Sequence, residues 1–159
     1  KGTIPLDGFP GEVVTEGLDG LVSRLAEYYD LGARFTKWRA VVSIDNGLPT
    51  DESIEINAVI LARFAALSQA AGMVPIVEPE VMLHGDHSIV RAQEVTTRTL
   101  EILFTIFKEC RVDLSMLILK SSMVLAGDGY TYRTKDGSKS AHFEHTILLE
   151  KEGARIITL

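Results

Sequence analysis

Apolar positions along this chain fall into helical stripes and short continuous runs, and the two kinds alternate. Thr15 opens the first helical stretch, which runs to about Tyr29 with Leu18, Leu21, Val22, Leu25 and Tyr28 at helical spacing. Gly17 and Gly20 lie inside it, each costing a helix interior roughly 1 kcal/mol. Phe35 to Ile44 (FTKWRAVVSI) reads as a strand, and Asn46-Gly47-Leu48-Pro49 as a turn. Thr50 to about Ala71 is the longest clean helix, with Asp51, Glu52 and Glu55 near its positive end and Gly72 as its stop. Met73 to Pro79 is a short apolar strand. Ser88 is positioned to cap a helix running to Cys110, and Val112 to Leu119 is the next strand. The first dozen residues carry Gly2, Pro5, Gly8, Pro10 and Gly11 and read as loop.

Strand, helix, strand, helix, strand is the order of parallel βαβ units, so an α/β fold is expected. The pattern changes after Gly127. Asp128-Gly129, Asp136-Gly137 and Glu152-Gly153 separate Tyr130–Lys135, Ala141–Glu150 and Ala154–Leu159, which read as antiparallel strands. Two regions are therefore expected, 1–127 and 128–159, the second a β-hairpin-like appendage.

Composition narrows the function classes. The chain has 159 residues, 46% of them hydrophobic, and a net charge of −6. That balance speaks against a general phosphate-backbone binder, and no nucleic-acid partner is expected. Cys110 is the single cysteine, which excludes an internal disulfide framework and a Cys-based zinc cluster. No apolar run reaches the roughly 18 residues of a membrane span, so no membrane partner is expected and a cytoplasmic location is the default. The start at Lys1-Gly2-Thr3 is neither a signal peptide nor an initiator methionine, and residues upstream are expected to be missing.

Lys37, Glu78 and Lys120 lie in or at the ends of the predicted strands, 41 and 42 residues apart. Equivalent positions on successive parallel strands point into one mouth, so these three are expected to converge at the carboxyl ends. Lys120 follows Met116-Leu117-Ile118-Leu119, an apolar setting that disfavours the ammonium form, and Lys37 supplies a second cation. A neutral lysine attacks carbonyls to form imines. Arg39, two residues beyond Lys37, shares its face and suits a phosphate or carboxylate. Glu78, at a dry strand end, is expected to have a raised pKa and to shuttle protons.

Lys37-Trp38-Arg39, Val74-Pro75-Ile76-Val77-Glu78-Pro79-Glu80 with Gly85-Asp86-His87, and Leu119-Lys120 with Met123-Val124 together resemble class I fructose-1,6-bisphosphate aldolase. The resemblance covers Lys1 to about Gly127. It implies part of a (β/α)8 TIM barrel, reversible cleavage of a ketose bisphosphate in glycolysis, a phosphorylated sugar substrate and no cofactor. By the same resemblance Lys120 is the Schiff-base lysine and Glu78 the proton-transfer residue. Lys37 and Arg39 lie at the substrate, Glu80 supports them, and Lys1 matches the lysine closing a preceding strand. Many family members carry Pro-Asn after the Schiff-base lysine, where this chain has Ser121-Ser122. A complete barrel takes about 250 residues, so a middle portion is expected, with open sheet edges that favour homo-oligomers or association with other chains.

From Thr134 to Thr146 the tail is similar to the C-terminal part of type I methionine aminopeptidase, and Glu144 would match one dimetal ligand. One carboxylate cannot hold two metal ions, so no metal site is expected there. Glu144 and His145 then read as residues of a solvated face, and His84, His87 and His142 as loop or surface histidines. The alternatives to an aldolase are a non-catalytic αβ fragment or fusion that associates with other chains, and a metallo-aminopeptidase remnant.

Overall fold

A computed structural model describes residues 1–45 and 47–127, together with the backbone of strands Ile147–Glu150 and Gly153–Ile156. The chain divides into two compact units, Lys1–Gly129 and Tyr130–Leu159. In the first, β3 (Phe35–Val42), β4 (Val74–Val81) and β5 (Ile118–Leu119) form a parallel sheet in that order. The helices α2 (Asp51–Ala70) and α3 (Ile89–Glu109) connect them. The alternation of sequence patterns thus does give parallel βαβ units. These three strands do not close into a barrel.

Alternation along β3 separates its two faces. Trp38, Ala40 and Val42 are buried, whereas Phe35, Lys37 and Arg39 are exposed. The buried set meets α2: the Trp38 ring lies 5.2 Å from that of Phe64, and Ala40 and Val42 pack near Ala58 and Leu61. Leu103 and Phe107 of α3 complete this layer. The opposite face of the sheet carries the charged side chains.

The ends of the helices follow local chemistry. The Thr50 hydroxyl accepts from Ser53 N–H at 3.1 Å and donates to buried Glu12 at 2.7 Å. It therefore caps α2 and ties it to the residues ahead of β3. Ser88 accepts from Arg91 N–H at 3.1 Å and caps α3 as expected. Gly72, at φ +75°, stops α2 in the left-handed region.

Three expectations are corrected. The first dozen residues are not simply loop. β1 (Thr3–Pro5) pairs antiparallel with β2 (Val13–Thr15), and Gly8 and Gly11 take positive φ in the connection. Strands of three residues are too short to leave a periodic signal. Helix α1 runs over Leu21–Asp30 and does not begin at Thr15. Gly17 and Gly20 sit at φ +131° and +65°, conformations no right-handed helix contains.

The run Val112–Leu119 is mostly not strand. Leu114–Met116 form a 3₁₀ turn, because the Asp113 carboxylate accepts from Ser115 N–H at 2.9 Å and Ser115 hydroxyl at 2.7 Å. The Gln69 amide of α2 binds the carbonyls of Asp113 and Met116. These side-chain bonds win over a ladder and leave only Ile118–Leu119 in the sheet.

In the second unit, β6 (Ile147–Glu150) pairs antiparallel with β7 (Gly153–Ile156), the Glu150–Gly153 pair facing each other across the predicted turn. The expected strand Tyr130–Lys135, with His142, Glu144 and His145, lies outside the described residues.

Phe64 is 2% exposed and joins α2 to β3 through Trp38. Phe64→Ala is expected to cost about 3–5 kcal/mol, read as a lower midpoint in urea unfolding followed by circular dichroism.

Candidate active site

The register of the ladders places the charged groups. Lys37 stands opposite Ile76 and Arg39 opposite Glu78, while Val77 stands opposite Leu119. Residues 37, 39, 78, 80 and 120 therefore project from one face, since same-face positions recur every second residue. Glu78 lies directly across from Lys120 and one same-face step beyond Lys37. Long side chains span that diagonal. Lys37 sits third in the eight-residue β3, while Lys120 follows the last residue of β5. The group therefore slants across the sheet and does not sit wholly at the carboxyl ends.

The three side chains do meet. Glu78 Oε1 accepts from Lys120 Nζ at 2.7 Å, and Glu78 Oε2 pairs with Lys37 Nζ at 2.7 Å. The Glu78 side chain is 6% exposed, against 52% and 40% for Lys37 and Lys120. A buried carboxylate is thus held between two cations with a path to solvent. Alongside, Arg39 binds both oxygens of Glu80, with Nη2 to Oε1 at 2.8 Å. The hydrogen bond to Glu80 raises the Arg39 pKa above its ordinary value, burial opposes it, and the charges of Glu80 and Glu78 add to the rise.

The raised Glu78 pKa is not found. Burial pushes the carboxyl up, but hydrogen bonds from Lys120 and Lys37, and then their charges, hold it below the ordinary carboxylate range. The expectation gave burial more weight than the two lysines expected beside it, whereas direct contact with both reverses the balance. Glu78 is consequently an ionised acceptor at neutral pH, and it acts as an acid only after a proton has been delivered to it.

A cavity of about 640 Å³ opens beside β3, lined among others by Lys1, Glu16, Arg24, Lys37, Trp38 and Arg39. Lys1 thereby shares a wall with Lys37 and Arg39. Glu16 and Arg24 are not apparent as wall residues from a helix beginning at Thr15, and α1 begins only at Leu21. In fact Arg24 turns back to the carbonyls of Gly17 and Asp19, fixing the bend ahead of α1. The positive-φ glycines were the signal for that bend. Among the described residues no cluster of His, Cys, Asp or Glu is arranged to hold a metal ion. His84 is exposed as expected; His87 lies in the loop but is buried, 8% exposed, with Gly127 against its ring and Gly127 N–H donating to its carbonyl at 2.8 Å. No described helix is long and apolar enough to cross a membrane.

Parallel βα units with a lysine–glutamate–lysine ion-pair cluster on the charged face of the sheet define the class of this chain as α/β with a charged site at its strands. The comparisons with known proteins make this specific. The family model "Glycolytic: Fructose-bisphosphate aldolase class-I" matches residues 1–150. A probable fructose-bisphosphate aldolase class 1 of Xanthomonas campestris is 57% identical over 129 residues, covering 81% of this chain and 39% of that protein. Fructose-bisphosphate aldolase, cytoplasmic isozyme 2, of Pisum sativum is 45% identical over 127 residues, covering 80% of this chain and 35% of that protein. The solved fructose-bisphosphate aldolase of Plasmodium falciparum, in complex with TRAP and a small-molecule inhibitor, superposes with a TM-score of 0.80 at 44% identity, covering 85% of this chain and 40% of that one. This chain belongs to the class I fructose-bisphosphate aldolase family. It spans less than two-fifths of the length of the curated relatives it matches.

The lowered Glu78 pKa carries a sign. Its ionised form stabilises the fold above the ordinary carboxyl pKa, and that contribution is lost as pH falls through the lower folded value. Glu78→Gln is expected to cost about 1–3 kcal/mol at neutral pH, discounted for the exposure of both lysines. The gap to the unmodified chain should close on acidification below the ordinary carboxyl pKa, of about 4.3. Urea midpoints of the two chains compared from pH 7 down to pH 3 check it.

Proposed function

We propose that the chain carries the Schiff-base half of a class I fructose-bisphosphate aldolase site, with Lys120 as the amine that attacks the ketose carbonyl. The observation that carries this reading is Glu78, buried and held at 2.7 Å from both Lys120 and Lys37. In its free-base form Lys120 adds to the carbonyl carbon, and loss of water from the carbinolamine leaves the imine. Glu78, touching Lys120 Nζ, is positioned to take the proton the attacking nitrogen releases and to return it to the departing hydroxyl. Lys37 keeps Glu78 ionised and ready to accept.

The protonated imine at C2 then draws electrons from the C3–C4 bond as a base takes the C4 hydroxyl proton, releasing glyceraldehyde 3-phosphate. Protonation of the enamine at C3 and hydrolysis of the imine by water release dihydroxyacetone phosphate and restore the Lys120 amine, and every step is reversible. Arg39, braced by Glu80, and Lys1 present the positive charge a phosphorylated sugar needs. No cofactor enters these steps.

This reading sets the parallel strands within a (β/α)8 barrel of which they form a part, with residues 1–127 as the barrel portion. It locates the work in the cytoplasm, in keeping with the cytoplasmic pea isozyme. Homo-oligomers or contacts to other chains through open sheet edges belong to the same proposal, since unpaired edge groups favour them. The outer edge of β3 is partly covered, because the Thr15 hydroxyl of β2 donates to the Arg39 carbonyl at 2.7 Å.

Borohydride reduction in the presence of dihydroxyacetone phosphate, followed by peptide mass mapping, tests the nucleophile. The expected adduct is on Lys120 and disappears in Lys120→Ala. Label on another lysine of the folded chain, or undiminished label in Lys120→Ala, would overturn the assignment.

A further inference from the structure

The sheet loses a donor just where Lys120 leaves it. In a parallel ladder a residue donates to the residue before its partner and accepts from the residue after it. Lys120 N–H donates to the Val77 carbonyl at 2.9 Å. The next rung calls for an N–H from residue 79, which is Pro79 and has none. The ladder accordingly ends at Leu119.

The chain beyond is held to β4 by other bonds. The Ser122 hydroxyl donates to the Val81 carbonyl at 2.7 Å. Val81 is 2% exposed and paired with Val42 of β3, so the acceptor belongs to the rigid part of the sheet. Further on, Gly127 N–H donates to the His87 carbonyl at 2.8 Å. Lys120 is therefore fixed from before by Val77 and from behind by Ser122, with Glu78 across from it.

We propose that Ser122 is a positioning residue for Lys120. Its hydroxyl ties the chain back to β4 two residues after Lys120, beyond the point where Pro79 ends the ladder, and keeps the Lys120 amine aimed at Glu78. Among the described residues the next backbone tie after it is at Gly127, so without the Ser122 bond the segment after Lys120 loses its hold on β4 and the amine shifts relative to the carboxylate. The hydroxyl belongs to this chain's Ser121-Ser122, where many members of the family it resembles carry Pro-Asn. Its consequence for imine formation rests on the reading of Lys120 as the nucleophile, whereas the placement of the amine does not.

Two measurements on the full chain separate these. Reductive methylation with ¹³C-formaldehyde gives each lysine a dimethylamino resonance, and Lys120→Ala identifies that of Lys120. In Ser122→Ala the Lys120 resonance should move toward that of Lys108, exposed on α3, and Ser122→Thr should restore it. Borohydride labelling with dihydroxyacetone phosphate should slow about three- to tenfold in Ser122→Ala, the effect of one net hydrogen bond, and recover in Ser122→Thr. A Lys120 resonance unmoved in Ser122→Ala, or unrestored in Ser122→Thr, would overturn the proposal. Absence of label in the unmodified chain would overturn the imine reading alone, because the methyl resonance still decides the role of Ser122. Ser122→Cys, a near-isostere with a weaker donor, serves in place of Ser122→Ala should that variant not fold.

Discussion

Everything at the candidate site depends on the register of the parallel ladders. β4 follows β3 with an offset that sets Arg39 opposite Glu78, and β5 follows β4 with Val77 opposite Leu119. Slip either ladder by one residue and each side chain of the slipped strand changes face. Glu78 would then enter the helix-packed layer beside Trp38 and Leu61, while Val77 would meet the lysines. Burial of Trp38, Ala40, Val42 and Val77 against α2 and α3 thus does two jobs. It holds the fold together and it fixes which face carries the charge.

That arrangement also governs the electrostatics. A carboxyl as buried as Glu78 would ordinarily resist ionisation, and two ammonium groups at 2.7 Å reverse the outcome. The exposure of the two lysines eases the desolvation that makes fully buried ion pairs costly. Arg39 and Glu80 repeat the pairing one step along the same face without either lysine, so each carboxylate has its own cation. The result is a dry acceptor held by wet donors, a carboxylate kept charged although little of it meets water.

Much of this was legible in the sequence because it depends on parity and punctuation. The spacing from Lys37 to Glu78 is two more than the offset of the β3–β4 ladder, and that from Glu78 to Lys120 equals the offset of the β4–β5 ladder, so both separations return to the same face. Helices α2 and α3 begin at the Thr50 and Ser88 caps. The strands β1 and β2 were not legible, since three residues leave no alternation to read. The Val112–Leu119 run misled for a different reason: Asp113, Ser115 and the distant Gln69 compete for its backbone, and Gln69 lies 44 residues away. The low pKa of Glu78 was missed although the three residues were expected to meet, because which effect wins depends on contact: both lysines reach the carboxylate at 2.7 Å, and together they outweigh its burial.

The meeting of Gly127 with the loop after β4 bears on how this sequence can vary. A Cβ on residue 127 would stand 2.6 Å from the carbonyl carbon of Gly85 and 2.8 Å from Nδ1 of His87. At Gly85, φ +140° and the nearby His87 ring disfavour a side chain as well. Neither position is in the apolar core, yet each admits only a hydrogen. Sequence drift in this region is accordingly channelled: the loop ahead of α3 and the exit from Lys120 change together or not at all, because one backbone crossing couples them.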